Sequence, residues 1–210
     1  MIGVTISSPN YSEMTEESRK AFQKHTGLAC HVIHTNNDHN YLAKLQLHRY
    51  FQQTIVFFDS DLRFIRDVDL HPYDNREEFF GVKDCSGHPL NAATFEESFS
   101  YKDCQNLKMN PNTYINGGFM IFNRKHHGVM MNDALNHIRQ TPEDFADFGE
   151  QSAVNYQLQT SDVKLELLPV NYNVMVGGSA SVESICSDPY AIHPAGMPYA
   201  DKQGWFDEFS

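Results

Sequence analysis

The sequence predicts an α/β fold built on a mostly parallel sheet flanked by helices. Short apolar segments alternate with helical ones, and this order is typical of parallel strands because each crossover between them usually contains a helix. The first unit shows the pattern. Residues 2–7 (IGVTIS) have the composition of a buried strand, residues 12–27 have helix signals and a C-terminal glycine, and residues 30–35 (CHVIHT) form a second strand.

The rest of the chain continues the alternation. A helix over residues 40–51, with Leu42, Leu45 and Arg49 on one side, precedes a third strand at residues 54–59 (TIVFFD). The segment from Asp84 to Thr113 is polar and lacks periodicity, which predicts an irregular loop over a site. Further strands are predicted at residues 79–83, 117–123 and 163–169, and further helices at residues 126–141 and 150–159.

Composition limits both the size of the fold and its partners. The 210 residues contain no repeat or linker, so we expect one domain over residues 1–210, and the abrupt end at GWFDEFS fits a domain cut from a longer protein. A net charge of −11 argues against nucleic acid as a partner. No apolar run is long enough to span a membrane, and four scattered cysteines indicate a reducing, cytoplasmic compartment.

The most informative segment is residues 54–70, TIVFFDSDLRFIRDVDL. Its strand ends in Asp59 and Asp61, and alternate residues of an extended chain point to the same side. Two close carboxylates repel each other unless a basic side chain or a cation neutralises them. At the carboxyl end of a strand, such a pair suits Mg²⁺ or Mn²⁺. The alternative is structural: one aspartate caps the next turn, and Arg63 or Arg66 pairs with the other.

Later segments add polar groups near predicted strand ends. Asn116 precedes two glycines, which would let a ligand approach the backbone closely. Glu150 and Gln151 open a helix, and His193 follows two apolar residues, with Lys202 further on. Each signal also has an ordinary explanation: a turn, a helix-dipole contact or a structural histidine.

Taken in order, these segments resemble the nucleotide-sugar glycosyltransferases of the GT-A fold, especially the family of glycogenin and the bacterial galactosyltransferases. They are also similar to the glycosyltransferase domains that modify a chlorella-virus capsid protein. The resemblance implies a Rossmann-like GT-A fold in a single domain and the transfer of a hexosyl or deoxyhexosyl group. The matching segments are residues 41–70, 114–123 (YINGGFMIFN), 148–156 (FGEQSAVNY), 167–175 (LLPVNYNVM) and 191–196 (AIHPAG).

The resemblance also implies roles for individual residues. Asp59, Asp61 and His193 would bind Mn²⁺ or Mg²⁺, with Asp61 the firmer ligand. Lys202 departs from the family pattern H-x-x-G-x-x-K-P-W, because it comes three positions later. The residues expected to hold the donor, most simply a UDP-sugar, are Tyr11, Asp38, Lys44, Asp59, Ser60, Asp84, Asn116, Gly117, Gly196 and Lys202.

The expected reaction breaks the bond between an anomeric carbon and a diphosphate, and a cation would stabilise the charge of the leaving group. An inverting transfer needs a carboxylate that takes the proton of the acceptor hydroxyl. Glu150 is the candidate, with Asp147 as the second choice. In a retaining transfer, Gln151 would lie under the anomeric centre. The family resemblance favours retention, although a fold does not determine stereochemistry. The acceptor would be a glycan or glycoprotein, including a viral capsid glycan made in the host cytoplasm.

Two other functions fit parts of the sequence. Phosphatases of the haloacid-dehalogenase type also have a strand ending in D-x-D, whose first aspartate is the nucleophile. They place the motif near the amino terminus with Thr or Val after it, whereas here Leu62 follows and more than fifty residues precede. A sugar-nucleotide-binding module without turnover is the other alternative, and the intact Asp59, Asp61 and His193 argue against it.

Overall fold

The structure is a computed structural model that describes residues 1–36, 41–84, 99–144, 149–176, 186–195 and 201–202. Within this part of the chain, strands and helices follow each other in the expected α/β order. The strands are β1 (Ile2–Ser7), β2 (Cys30–His34), β3 (Ile55–Phe58), β4 (Arg63–Phe64), β5 (Phe79–Lys83), β6 (Ile115–Phe122), β7 (Leu165–Leu168), β8 (Val174–Met175) and β9 (Ala191–His193). The helices are α1 (Ser12–Thr26), α2 (Leu47–Tyr50), α3 (Phe99–Asn106), α4 (Arg124–Gln140) and α5 (Gly149–Thr160).

The larger sheet has six strands in the order β2-β1-β3-β6-β5-β7. Neighbouring strands are parallel except where β6 meets β3 and β5. The predicted mostly parallel sheet is therefore confirmed, while the reversed direction of β6 was not predicted. The reversal matters for the site: the first residues of β6 lie at the same sheet edge as the last residues of β3, where Phe58 pairs with Phe119.

A second, small sheet has the order β4-β9-β8. Arg63 of β4 pairs with Ile192 of β9, and Met175 of β8 runs parallel to His193. None of these short strands was predicted as part of a sheet, because two or three residues show no periodicity. The small sheet brings His193, the last residue of β9, next to the segment that follows β3.

Two predictions of local structure, one of a helix and one of an irregular loop, need correction. The helix expected over residues 40–51 is a six-residue 3₁₀ segment, Tyr41–Gln46, followed by the single turn of α2. The segment expected to be irregular between Asp84 and Thr113 contains α3, whose short polar sequence has little amphipathic pattern. The helix α1 ends as predicted, because Gly27 takes a φ of 70° and its N–H donates to the Gln23 carbonyl at 3.1 Å.

The core forms two apolar layers, one on each face of the larger sheet. In β3, Ile55 and Phe57 pack into one layer, whereas Val56 and Phe58 pack into the other. This explains why β3 is apolar at every position rather than alternating. Among the described residues, no helix is both long and apolar enough to cross a membrane.

A buried histidine joins α4 to the segment before β5. His127 is fully buried; its Nδ1 accepts from the Asn123 backbone N–H at 2.9 Å, and its Nε2 lies 3.1 Å from the Glu77 carbonyl oxygen. Nε2 therefore carries the hydrogen of a neutral ring. Burial lowers the pKa of His127 to about 4.

This histidine predicts a pH dependence of stability. In the unfolded chain, His127 binds a proton below its ordinary pKa of 6.5, whereas the native ring stays neutral until about pH 4. The free energy of unfolding therefore falls as the pH drops from 6.5 toward 4. His127→Gln keeps one acceptor and one donor but does not titrate. In urea unfolding, the free energy of unfolding of the wild type should fall by roughly 3 kcal/mol more than that of this variant between pH 7 and pH 4. The same pH dependence of this free energy in both proteins would contradict a neutral, buried His127.

Candidate active site at the carboxyl end of strand β3

The three expected metal ligands converge at one point. Asp59 and Asp61 follow β3 in a tight turn, in which the Leu62 N–H donates to the Asp59 carbonyl at 3.0 Å. The ring of His193 reaches this turn from β9: Nε2 lies 3.2 Å from Oδ1 of Asp61 and 3.9 Å from Oδ2 of Asp59. One ligand atom from each of the three residues lies within 4.8 Å of the others. Such a set of two carboxylates and an imidazole fits Mn²⁺ or Mg²⁺.

A buried lysine links Asp59 to the start of α5. Lys44 Nζ lies 3.0 Å from Oδ1 of Asp59 and 3.2 Å from Oε1 of Glu150. Burial alone would lower the pKa of Lys44, but the two carboxylates outweigh burial and raise that pKa above its ordinary value. The ammonium therefore stays charged and holds both carboxylates at fixed positions.

A second lysine contacts the other aspartate. Lys202 Nζ pairs with Oδ2 of Asp61 and lies 5.5 Å from the centre of the Tyr11 ring. Burial would raise the pKa of Asp61, but His193 and Lys202 together hold that pKa well below its usual range. The structure thus places Lys202 in the site despite its shifted position in the sequence.

The structural alternative for the D-x-D segment is not what the structure shows. Arg63 pairs with Glu17, and Arg66 pairs with Asp188. Lysines contact the two aspartates instead, and these lysines come from distant parts of the chain. The three carboxylates of the cluster still outnumber its two ammonium groups, which leaves excess negative charge for a bound cation.

The two glycines of β6 make space for side chains of the protein itself. A methyl group on Gly118 would lie 2.8 Å from Nδ1 of His193, too close for any real contact. A methyl group on Gly117 would lie 3.3 Å from Oε1 of Gln151. From the sequence, these glycines are expected to let a ligand approach the backbone, and that expectation stays a prediction. In the structure, the ring of His193 packs against Gly118, whose carbonyl accepts from the Asp59 N–H at 2.9 Å.

The first residues of α5 are fixed against β6. Gln151 Oε1 accepts from the Gly117 N–H at 2.6 Å, and its Nε2 donates to Oδ2 of Asp84 at 2.9 Å. One turn later, Asn155 bonds both backbone groups of Ile115, at 2.7 and 2.9 Å. Both polar ends of the Gln151 amide are thus engaged. Its position is determined by the sheet rather than by the helix alone.

Most of the expected site residues lie around this cluster. Ser60 sits between the two aspartates, and its carbonyl accepts from the Ser18 hydroxyl at 2.8 Å, which ties the turn to α1. Asn116 opens the glycine segment of β6. Three expected residues, Asp38, Asp147 and Gly196, lie outside the described part of the chain.

Asn173, which was not predicted from the sequence, is fully buried and lies just before β8. Its Oδ1 is 3.0 Å from Nδ1 of His193, and its Nδ2 donates to Oδ1 of Asn116 at 3.0 Å. The only available signal was its place in the segment LLPVNYNVM. That segment also contains Asn171, and nothing in the sequence separates the two asparagines.

A scan against protein-family models gives no match, and neither does a comparison with curated protein sequences. Comparison of the fold is informative. The fold is that of the GT-A glycosyltransferases, as three similar solved structures show.

Three of these structures show the extent of the likeness. The galactosyltransferase LgtC, solved with donor and acceptor sugar analogs, has a TM-score of 0.66 and 15% identity, over 100% of this chain and 94% of LgtC. A glycosyltransferase involved in glycosylation of the major capsid of PBCV-1 has a TM-score of 0.64 and 10% identity, over 99% and 98%. GlyE of Streptococcus pneumoniae TIGR4 has a TM-score of 0.64 and 14% identity, over 99% of this chain and 59% of GlyE. At these identities the likeness shows the fold.

The close packing of the His193 ring against Gly118 gives a direct test of the candidate metal site. Gly118→Ala should push the imidazole away from the two aspartates and weaken Mn²⁺ binding at least tenfold, measured from the electron paramagnetic resonance signal of free Mn²⁺. Gly128→Ala is the matched control, because its new methyl group meets only side-chain atoms at 3.4 Å or more, inside α4. Equal Mn²⁺ affinity in the two variants would remove His193 from the ligand set.

Proposed function

We propose that the protein is a metal-dependent glycosyltransferase that moves a hexosyl or deoxyhexosyl group from a UDP-sugar to a hydroxyl of a glycan or glycoprotein. The proposal rests on one observation: Asp59, Asp61 and His193 converge at the carboxyl end of β3 in a chain with a GT-A fold. Residues 1–210 form its catalytic domain, which acts in the cytoplasm. A viral capsid glycan is one candidate acceptor, because one similar structure acts in capsid glycosylation.

A cation and two lysines would offset the negative charge of the site and of the diphosphate. A divalent cation held by the three ligands supplies Lewis-acid stabilisation of the departing diphosphate. The ammonium group of Lys202 pairs with Oδ2 of Asp61, and it can rotate toward a phosphate oxygen when a donor binds. Lys44 pairs with the other aspartate, Asp59, and offsets part of the negative charge of the site. An acidic protein can therefore hold an anionic donor.

The other end of the site handles the sugar and the acceptor. Gln151 bonds the Gly117 N–H and the Asp84 carboxylate, so the transferred sugar would lie against a surface lined by an amide and a carboxylate. Glu150 precedes Gln151 in the chain and pairs with Lys44. It takes the proton of the acceptor hydroxyl in an inverting reaction. In a retaining reaction, Gln151 lies under the anomeric carbon and no base is required.

The similar structures favour transfer over the phosphatase alternative, because the whole chain superimposes on glycosyltransferases. A module without turnover is separated from an enzyme by activity alone.

The first experiment is calorimetric titration of UDP, GDP and dTDP, with and without Mn²⁺. We expect UDP to bind only with Mn²⁺, and Asp61→Ala to abolish that binding, since the change removes a ligand and no core contact. Asp67→Ala, at an exposed carboxylate, is the matched control and should bind as wild type does. Mn²⁺-dependent UDP binding that persists in Asp61→Ala would refute the assigned metal site, and phosphatase activity without nucleotide binding would refute the function.

A second variant tests the catalytic carboxylate. Glu150→Gln keeps a hydrogen-bond acceptor for Lys44 but removes the charge. If Glu150 is the base, kcat should fall by a factor of about 10² to 10⁴, with the donor Kd changed less than about threefold. Glu166→Gln, on the exposed edge strand β7, is the control.

The product anomer completes this test. An inverted anomer together with the loss of turnover supports Glu150 as the base. A retained anomer, or normal turnover in Glu150→Gln, removes Glu150 from that role and leaves Gln151 as the residue at the anomeric centre.

A further inference from the structure

A relay of buried amides connects β6 to the ring of His193. The backbone N–H of Gly118 donates to Oδ1 of Asn116 at 2.9 Å, and Nδ2 of Asn173 donates to the same oxygen at 3.0 Å. The other end of the Asn173 amide, Oδ1, lies 3.0 Å from Nδ1 of His193. Because Oδ1 of Asn116 accepts twice, Asn173 can only present its NH₂ group there, and its oxygen must face the histidine.

This fixed amide determines the tautomer of the histidine. An amide oxygen cannot donate, so Nδ1 of His193 must carry the hydrogen. In the neutral ring the lone pair is then on Nε2, the atom that lies 3.2 Å from Asp61. A ring with the opposite tautomer would turn an N–H toward the carboxylates and could not bind a cation through Nε2.

We infer that Asn173 is a positioning residue that holds His193 in the Nδ1–H tautomer, with Nε2 directed at the cation site. The inference rests on the proposed metal-dependent function and adds a residue to its site. Asn173 does not touch the cation or the substrate, and acts through His193. It is fully buried and His193 is 3% exposed, so water has little access to replace the hydrogen bond.

Local structure supports the assignment. Asn173 follows a single 3₁₀ turn, Val170–Tyr172, and its N–H donates to the Val170 carbonyl at 3.0 Å. The next strand, β8, runs beside β9, and the Val176 N–H donates to the His193 carbonyl at 2.9 Å. Asn173 therefore comes directly before a strand that is paired with the strand of His193. The ring itself rests on Gly118, so packing fixes its plane while Asn173 fixes its tautomer.

The test is a double-mutant cycle read out by the binding of Mn²⁺ alone, from the resonance signal of the free ion. Asn173→Ala should weaken Mn²⁺ binding about tenfold, the usual effect of removing a hydrogen-bond partner of a ligating histidine. In a His193→Ala background, the same change should weaken binding no further, because no ring remains to be positioned. Equal losses in the two backgrounds, or no loss in the first, would overturn the inference.

The conservative variant keeps the test decisive even if Asn173→Ala does not fold. Asn173→Asp keeps an acceptor for Nδ1–H, replaces the donor to Asn116 by a carboxylate oxygen and adds a negative charge beside the ring, so its Mn²⁺ affinity should be at least that of wild type. A tenfold loss in folded Asn173→Asp would overturn the inference. Wild-type protein that binds no Mn²⁺ at all would overturn the proposed function and the inference together, whereas binding that Asn173 does not affect would overturn the inference alone.

Discussion

The arrangement of the site depends on one electrostatic constraint: two carboxylates that follow a buried strand must be neutralised. Asp59 and Asp61 follow β3 at the edge of the sheet, where Asp59 is partly exposed and the burial of Asp61 disfavours its negative charge. Lys44 pairs with Asp59 and Lys202 pairs with Asp61. The ring of His193 lies near both carboxylates. The balance is incomplete, and the remaining negative charge is what suits the turn to a divalent cation. The same charges that would destabilise an empty site thus favour a metal-bound one.

The reversed strand β6 organises the neighbourhood of this cluster. Its direction brings two glycines to the edge where β3 ends, and the absence of side chains there leaves space for an imidazole and an amide. Gly118 receives His193, and Gly117 receives Gln151. The proposed metal ligand His193 and the buried amide of Gln151 therefore rest on one backbone segment. A small shift of β6 would move both side chains, which ties the geometry of one end of the candidate site to that of the other.

The site also shows how polar groups can be buried without loss of specificity. Asn173, Asn116 and Gln151 are each buried, and each uses both ends of its amide or one end twice. Satisfied amides have one permitted orientation, because a flip would set donors against donors. On the proposal made above, the histidine takes its tautomer from this network. Its orientation at the candidate metal site would then be determined by hydrogen bonds outside that site.

The sequence alone determined the α/β class, most of the helices and strands of the larger sheet, and the candidate metal residues. Apolar periodicity and helix punctuation are local signals, whereas a D-x-D after an apolar strand is weak evidence by itself and gained weight from the segments that follow it. Order along the chain then linked Asp59 and Asp61 to His193 through the family resemblance.

Only the tertiary structure decided the direction of β6, the partners of the lysines and the role of Asn173. Strand direction and the small sheet depend on pairings between residues far apart in sequence, which leave no periodic trace. Two asparagines in one short segment look alike in sequence, yet Asn173 contacts the histidine because its side chain alone meets the ring and Asn116 together. Contacts of this kind are properties of packing in three dimensions, and local sequence patterns do not encode them.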